Sequence, residues 1–539
     1  MYFYMVKTIK MKKTILTLIL LLSCLAGFAN EPVEVVVLMK AHYDRTQLCR
    51  KAAMITTKAA RRDYVVSELK AFAEASQADL RAELAEWERQ GMVSSVYSLW
   101  SANALHITAD EEVIQSLSER PDVESIDPVE LVLVIPEEGK VVEAPVSRTI
   151  APNITQVNAP RVWRQGYGGQ GVVIAVIDSG VNYNHLDLAD HLWDGGEEFP
   201  HNGVDVFNVD DDPMDDLGHG THCAGTVCGD GTSGLSTGVA PEATLMCVKC
   251  TDHEGHSDAI YFVKGMEWAV EHGCDAISLS LGKANADTAD KELLRHSCEA
   301  LLDAGIVAAV AAGNERNLQN ICPIPNNVRT PASCPPPILD RDQMVNPGGL
   351  SCVIAVGAVD ANDTVASFSS LGPVTWQNSE FEDYAYNPGI GLIRPDVCAP
   401  GVSIWSLDYS SINDYDYKSG TSQATPCVAG IVALMLSKNP ELTPADIYLI
   451  LERTAVRLFP TKNNSTGMGR VDALAAVDAV PLWDAVDESF DIGDDMDASD
   501  ATIQLIDMQG RIVQSPSPGI YLLQMIKEKK VKTRKIIIR

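Results

Sequence analysis

Positive charge is scarce in this chain of 539 residues, which has 42 Lys and Arg against 73 Asp and Glu and a formal net charge of −31. Nucleic acids and anionic membranes are bound through basic faces. The balance therefore argues against both partners and suits a solvated extracellular protein. Because the chain is too long for one compact domain, we expect two or three.

The amino terminus lacks an apolar run long enough to span a membrane comfortably. Residues 1–29 contain basic residues after Met11, a short apolar core and small residues ending at Ala29, which is the pattern of a secretory signal peptide. Met11 is a second candidate for the true start, and Cys24 leaves a lipoprotein signal open as an alternative. We expect export through the periplasm to the cell surface or the medium.

Metal-binding motifs are incomplete in this sequence. His219 and His222 are three residues apart, but the acid of a His-Glu-x-x-His zinc helix is missing. Cys247 and Cys250 have no second cysteine pair nearby. We therefore expect buried thiols and a packed His222 rather than a metal centre.

Three segments carry residues that together can activate a hydroxyl group. Asp178 ends the apolar run 171–177, which predicts a parallel strand buried on both faces, and α/β sheets bind ligands at such strand ends. His219 begins a stretch of small residues typical of a tightly packed helix, and Ser422 precedes the helical stretch 424–436. A serine becomes nucleophilic when an imidazole oriented by a carboxylate removes its proton. Taken alone, Asp178 is equally consistent with a residue that caps a turn.

Hydrogen-bond donors are expected close to Ser422. The amino end of the predicted helix directs backbone N–H groups toward a negative charge that forms there. Asn314, after the apolar run 306–310, can add a side-chain N–H to the same oxyanion. Because Gly313 precedes it, Asn314 is alternatively a simple turn residue after a strand.

The chain order Asp178, His219, Ser422 and the surrounding sequences resemble the subtilisin family over about residues 150–478. The resembling blocks are Val176-Ile-Asp-Ser-Gly180, Gly218-His-Gly-Thr-His-Cys-Ala-Gly225, Ala311-Ala-Gly-Asn314 and Gly420-Thr-Ser-Gln-Ala-Thr-Pro426. The resemblance implies an α/β fold with a doubly wound, mostly parallel sheet. It also implies a serine endopeptidase in which Ser422 is the nucleophile, His219 the general base and then acid, and Asp178 the orienting carboxylate. Asn314 and the Ser422 backbone N–H would hold the oxyanion.

The same resemblance implies two substrate-binding strands. Ser280, Leu281 and Gly282 match the family's strand that pairs with an extended substrate, and the segment around Gly255 resembles the opposing strand. Protein or peptide substrates would bind between them as an added β-strand.

An insertion at residues 316–349 follows the position where subtilisins place the wall of the pocket for the residue before the scissile bond. We expect it to shape specificity, with Glu315 at its mouth favouring a basic or large polar side chain. Cys322 and Cys334 bracket a proline-rich part of this insertion. They are a candidate disulfide pair, since export exposes the chain to an oxidising compartment.

The segments around the predicted catalytic domain point to further modules. A β-α-β-β-α-β order precedes it and resembles a small ferredoxin-like inhibitory propeptide, with a coiled-coil helix as the alternative. Short strands follow it and resemble the sorting domain of type IX secretion cargo, with a basic membrane-binding tail as the alternative. We expect a signal peptide at 1–29, a propeptide at 30–135, a linker with the maturation site at 136–152, the catalytic domain at 153–480, an acidic linker at 481–500 and the sorting domain at 501–539.

The sequence thus predicts a secreted, self-inhibited, monomeric serine endopeptidase whose partners are its substrates, its own propeptide and the secretion machinery. Catalysis should need no cofactor. Asp187 and the run 210–216 offer oxygen ligands, which leaves a structural calcium site and a plain acidic loop both open. A catalytically silent surface-binding protein is one alternative function. An esterase or peptide ligase that uses the same acyl-enzyme is the other.

Overall fold

The computed structural model describes residues 32–55, 57–135, 140–142, 149–340, 342–376, 390–481, 502–507, 519–527 and 530–538. The predicted signal peptide and nearly all of the acidic linker lie outside these residues. The described residues group into two compact units. The smaller unit draws on 1–42, 73–99 and 103–129, and the larger on 43–72, 100–102 and 130–539.

A seven-stranded parallel sheet forms the centre of the larger unit. In spatial order its strands are Val397–Pro400, Val353–Val359, Val307–Ala311, Ala276–Leu279, Val173–Asp178, Thr244–Lys249 and Gly203–Asp205. Most of these strands are continuous apolar sequences because helices cover the sheet and leave little strand surface to water. The predicted α/β class with a mostly parallel sheet is confirmed.

The larger unit also contains helices, several of which pack against the central sheet. They are Arg45–Ala52, Pro152–Gln156, Ala159–Trp163, His219–Cys228, Ala259–Glu271, Thr288–Ala304, Thr421–Lys438, Pro444–Thr454 and Ala473–Ala479. Several begin at side chains that accept a hydrogen bond from the first turn, as Asp258 does from the Ile260 N–H. The buried side chains from sheet and helices form one large apolar core.

Short strands surround the central sheet. Thr149–Ile150 pairs with Leu235–Ser236, Val132–Leu133 with His256–Ser257, and Ile338–Leu339 with Gly349–Leu350. Strand Tyr415–Lys418 lies between Ile404–Leu407 and Lys140–Val142. At the end of the chain, Thr502–Asp507, Gly519–Lys527 and Lys530–Ile538 form a three-stranded antiparallel sheet.

The smaller unit is an antiparallel sheet with helices. Its strands are Val93–Leu99, Ala104–Ala109, Val33–Met39 and Val123–Pro128 in spatial order, and its helices are the second part of Lys58–Arg89 and the short Glu111–Ser118. Leu80 and Leu84 of the long helix are fully buried among strand residues such as Val37 and Ile107. The long helix begins at Lys58 and ends at Arg89.

The expected disulfide between Cys322 and Cys334 is wrong, because both thiols are free. Cys322 Sγ lies 3.2 Å from the Asn285 side-chain nitrogen, whereas the Cys334 carbonyl accepts a hydrogen bond from Arg394 at 2.7 Å. The two cysteines are anchored to different parts of the fold. Within the described residues, none of the helices combines the length and apolar character needed to cross a membrane.

Candidate active site

Asp178 and His219 form a buried hydrogen-bonded pair at the carboxyl end of the central sheet. Asp178 ends its strand and His219 begins its helix, so the two side chains meet where strand and helix approach each other. The His219 Nδ1–H donates to Asp178 Oδ1 over 2.6 Å. Gly220 permits this approach, since a Cβ there would overlap the Gly180 carbonyl oxygen and lie 3.0 Å from Asp178 Cβ.

The environment of His219 favours its charged form. Burial lowers the pKa of the imidazole, but the adjacent Asp178 carboxylate outweighs burial and holds the pKa well above its ordinary value. The neighbouring His222 behaves in the opposite way, because burial beside Lys418 lowers its pKa. His222 Nε2 lies 3.0 Å from the Ile404 carbonyl oxygen, as expected of a packed helix residue.

Ser422 is the second residue of helix Thr421–Lys438, where backbone N–H groups lack carbonyl partners within the helix. Its hydroxyl donates to the Ser280 carbonyl over 3.0 Å, and the Ser280 hydroxyl donates to the Ser422 carbonyl over 2.8 Å. These reciprocal bonds join the serine helix to the predicted substrate strand.

Cys223 connects the helices that carry His219 and Ser422. Its buried thiol donates to the Ser422 carbonyl over 3.5 Å, and its Sγ lies 3.8 Å from His219 Nδ1. In the described part of the chain, Asp178, His219 and Cys223 are the group whose ligand atoms could hold a metal ion, all within 4.8 Å of one another. The sequence analysis assigned no role to Cys223, although its spacing of four residues from His219 on a helix indicates that the two side chains are neighbours.

Asn314 lies at the amino end of the serine helix. Its Oδ1 accepts the Thr421 N–H at 3.0 Å and the Thr421 hydroxyl at 3.1 Å, which fixes the plane of the side-chain amide. The preceding Gly313 donates its N–H to the Thr421 hydroxyl over 3.1 Å. The structure therefore brings Asn314 next to the residue that precedes Ser422.

The predicted substrate strand follows the sheet strand Ala276–Leu279. Ser280 contacts Ser422 as described, Leu281 is fully buried, and Gly282 abuts Arg329. The next residue, Lys283, anchors the segment through ion pairs with Asp258 and Asp290 at 2.6 and 2.9 Å. The segment is thus held at Ser280 by Ser422 and at Lys283 by the two ion pairs.

The chain's own residues occupy the opposing strand position. Val132–Leu133 pairs antiparallel with His256–Ser257, and the Gly255 carbonyl accepts the Val134 N–H at 2.9 Å. Gly255 has φ of 84°, a conformation that suits glycine. Farther along the chain, Lys140–Val142 pairs with Tyr415–Lys418.

Glu315 is not available to a basic substrate side chain, so that expectation is corrected. Its Oε1 accepts two hydrogen bonds from Arg329, at 2.9 Å from Nε and 2.6 Å from Nη2, while its Oε2 accepts the Ser370 hydroxyl at 3.1 Å. Both members of the ion pair are buried. Arg329 was not predicted, because no local sequence pattern links it to Glu315 or to the substrate strand.

A parallel α/β sheet that presents a buried carboxylate–imidazole pair close to a helix-terminal serine is typical of hydrolases that use a serine nucleophile. Residues 169–470 match the family Peptidase_S8, described as the subtilase family. The chain belongs to the subtilase family, and it is an enzyme that hydrolyses peptide bonds.

Curated relatives support this assignment over a longer stretch. Subtilisin NAT of Bacillus subtilis subsp. natto is 33% identical over 388 residues, which cover 72% of this chain and 84% of the relative. Serine protease AprX of Bacillus subtilis (strain 168) is 35% identical over 337 residues, which cover 57% of this chain and 66% of the relative. Bacillopeptidase F of the same strain is 30% identical over 465 residues, or 80% of this chain and 30% of the relative.

Proposed function

We propose that this protease is made as a secreted, self-inhibited precursor and cleaves proteins through an acyl-enzyme on Ser422. The observation that carries the catalytic roles is the 2.6 Å hydrogen bond between buried Asp178 and His219, next to the helix whose second residue is Ser422. His219 removes the Ser422 proton and later delivers it to the leaving amine. Asp178 holds the imidazole in the required tautomer and stabilises its charged form.

Oxyanion stabilisation is assigned to the Asn314 side chain and the Ser422 backbone N–H. Thr421 orients the Asn314 amide, and the amino end of the helix adds positive potential. Donors fixed before the reaction need no reorganisation when the negative charge forms. The substrate backbone would pair with Ser280–Gly282 on one side and Gly255 on the other.

Self-inhibition is supported by the backbone contacts of residues 132–135. The Val134 N–H and the Ile135 N–H both donate to the Gly255 carbonyl, at 2.9 and 3.3 Å. The pairing of Val132–Leu133 continues this antiparallel ladder, so the chain takes the position that a substrate strand needs. Residues 30–135 then act as the inhibitory propeptide, and maturation requires a cut within the segment 136–152.

Secretion is inferred from the two ends of the chain. The amino-terminal sequence has the layout of a signal peptide, and the chain ends in the sequence Val531–Arg539, which is rich in basic and β-branched residues. We infer that the strands after residue 501 form a sorting domain that targets the protein to type IX secretion. Removing residues 502–539 should leave the protease in the periplasm, as measured by immunoblotting of cell fractions and medium.

One experiment tests the catalytic and precursor roles together. The purified full chain is incubated with a fluorophosphonate probe and with casein, beside Ser422→Ala and the control Ser437→Ala, which alters the same helix at a hydroxyl that donates to the Leu434 carbonyl. We expect the wild type and the control to be labelled, to lose the residues before the linker and to degrade casein. The Ser422→Ala chain should stay full length and unlabelled.

A wild-type chain that stays unlabelled after another protease has removed its first 150 residues would contradict the proposal. The catalytically silent binding protein would then be the better description. Labelling and acyl transfer without casein hydrolysis would instead favour the esterase or ligase reading.

A further inference from the structure

Arg329 lies against both backbone segments that flank the proposed reaction centre. A Cβ on Gly282, at the end of the substrate strand, would come within 2.9 Å of Arg329 Cβ. A Cβ on Gly313, which precedes Asn314, would come within 2.9 Å of Arg329 Cγ. Two glycines therefore make room for this side chain, which lines the space between the substrate strand and the oxyanion residue.

The Arg329 guanidinium is held in one orientation. Its Nε and Nη2 both donate to Glu315 Oε1, and Glu315 is itself held by the Ser370 hydroxyl. The Arg329 and Glu315 side chains are only 9% and 5% exposed, so water screens their charges poorly. This fixed geometry turns the remaining edge of the guanidinium, at Nη1, away from Glu315.

Nη1 points at the segment that occupies the substrate position. It donates to the Val134 carbonyl at 2.8 Å and lies 3.4 Å from the Gly282 carbonyl. If maturation removes residue 134, as the proposed function requires, the shorter of these two hydrogen bonds is lost. A hydrogen bond donated by a charged group is stronger than one between neutral groups. The mature enzyme therefore gains most from a substrate that supplies a new acceptor.

We propose that Arg329 is a specificity-determining residue that binds a carboxylate side chain of the substrate, so that the mature enzyme cleaves beside Glu or Asp. The inference rests on the proposed function. A guanidinium edge matches a carboxylate in shape and charge, and a buried ion pair of this kind is stronger than a bond to a neutral acceptor. A Lys or Arg side chain would place a second cation against Arg329 and is rejected.

The chain's own sequence carries the side chains that this specificity requires. Pro136-Glu137-Glu138-Gly139 separates the segment bonded to Gly255 and Arg329 from the strand Lys140–Val142. A cut at Glu137 or Glu138 would therefore separate these two paired segments. The first substrate of the enzyme would then be an acidic sequence within the same polypeptide.

The test uses the full chain after activation and four fluorogenic peptides that differ only in the residue before the scissile bond: Glu, Gln, Leu or Lys. Fluorophosphonate labelling counts the competent sites, and kcat/KM is expressed per labelled site. The comparison variant is Arg329→Met combined with Glu315→Gln, because removing the arginine alone would leave a buried carboxylate unpaired. For the wild type we expect Glu to exceed Gln by about 10-fold or more and Lys to be the poorest. The double variant should bring the Glu-to-Gln ratio close to 1.

The outcomes separate this inference from the proposed function. Absence of labelling at Ser422 removes the proposed function and the specificity with it. Labelling with equal or faster cleavage of the Gln, Leu or Lys peptide overturns the specificity alone. An unchanged Glu-to-Gln ratio in the double variant also overturns it. Mass spectrometry of the self-cleaved wild type adds a second readout, for which we expect a new end after Glu137 or Glu138.

Discussion

Replacing Gly220 with alanine should separate the paired Asp178 and His219 without changing either side chain. The new methyl group would overlap the Gly180 carbonyl oxygen and press on Asp178 Cβ at 3.0 Å. The Gly180 obstacle is backbone at the end of a buried strand, so it cannot rotate away. The helix has to retreat by about 1 Å, which lengthens the 2.6 Å hydrogen bond between His219 and Asp178.

Two opposing effects set the magnitude. An alanine inside a helix is favoured over glycine by about 0.5–1 kcal/mol, whereas overpacking a buried contact costs about 1–3 kcal/mol. We expect a net destabilisation of about 1–2 kcal/mol. Misplacing the base by this distance should lower kcat/KM by about 10²-fold. The loss of activity should therefore greatly exceed what the fraction of unfolded protein explains.

The assay combines peptide hydrolysis per folded molecule with the Tm, and Gly265→Ala is the matched control. Gly265 is also a buried helical glycine, but its nearest neighbour is the Ile177 Cγ2 methyl at 2.9 Å, which belongs to a side chain. We expect Gly265→Ala to lower stability by a similar amount and to keep most of the activity. If Gly220→Ala keeps kcat/KM within about threefold of the wild type, the close helix–strand approach is not what positions His219.

Three further substitutions test the site and its support. Asp178→Asn should lower kcat by about 10⁴-fold, because the imidazole loses its orienting charge. Asp178 raises the His219 pKa, and only the neutral imidazole is a base. The kcat/KM of the wild type should therefore rise with pH, with a midpoint above the ordinary histidine pKa. A pH profile of kcat/KM that is flat in this range would contradict the assignment. Asn314→Ala should lower kcat by about 10²–10³-fold while KM changes little, and a change confined to KM would remove its oxyanion role. Lys462 Nζ lies 2.5 Å from Glu452 Oε1, so Lys462→Met would leave the Glu452 carboxylate as a buried charge without this cation. We expect denaturant unfolding to show a destabilisation of about 3–5 kcal/mol. Adding Glu452→Gln should recover part of the lost stability.

Local sequence was sufficient for the elements that present the reacting groups. The apolar run before Asp178 can only be buried as a sheet strand, and the small residues after His219 permit the close helix packing that is observed. The short motif around Ser422 likewise gave a helix beginning, although the helix starts at Thr421 and includes Ser422 as its second residue. The strand, the close packing and the start of the helix each depend on residues within a few positions of one another, so local sequence patterns predict them.

Contacts between distant segments could not be read in the same way. Cys322 and Cys334 are close in sequence, yet each is bonded to a different part of the fold and both remain thiols. The sequence suggested that Glu315 is a free acid at the mouth of a pocket, but Arg329, which lies 14 residues further along the chain within the insertion, pairs with it. An ion pair of this kind depends on the path of the backbone between its members, and single-residue patterns do not encode that path.

The sequence by itself determined the fold class, the family and the residue types of the reaction centre, because each follows from local apolar runs and short motifs. Only the tertiary structure decided which polar groups meet. It set Asp178 and His219 at 2.6 Å, joined Ser422 to Ser280, and directed Arg329 toward the chain's own residue 134. Hydrogen bonds and buried ion pairs act over a few ångströms, so they are fixed only once packing has brought remote segments together.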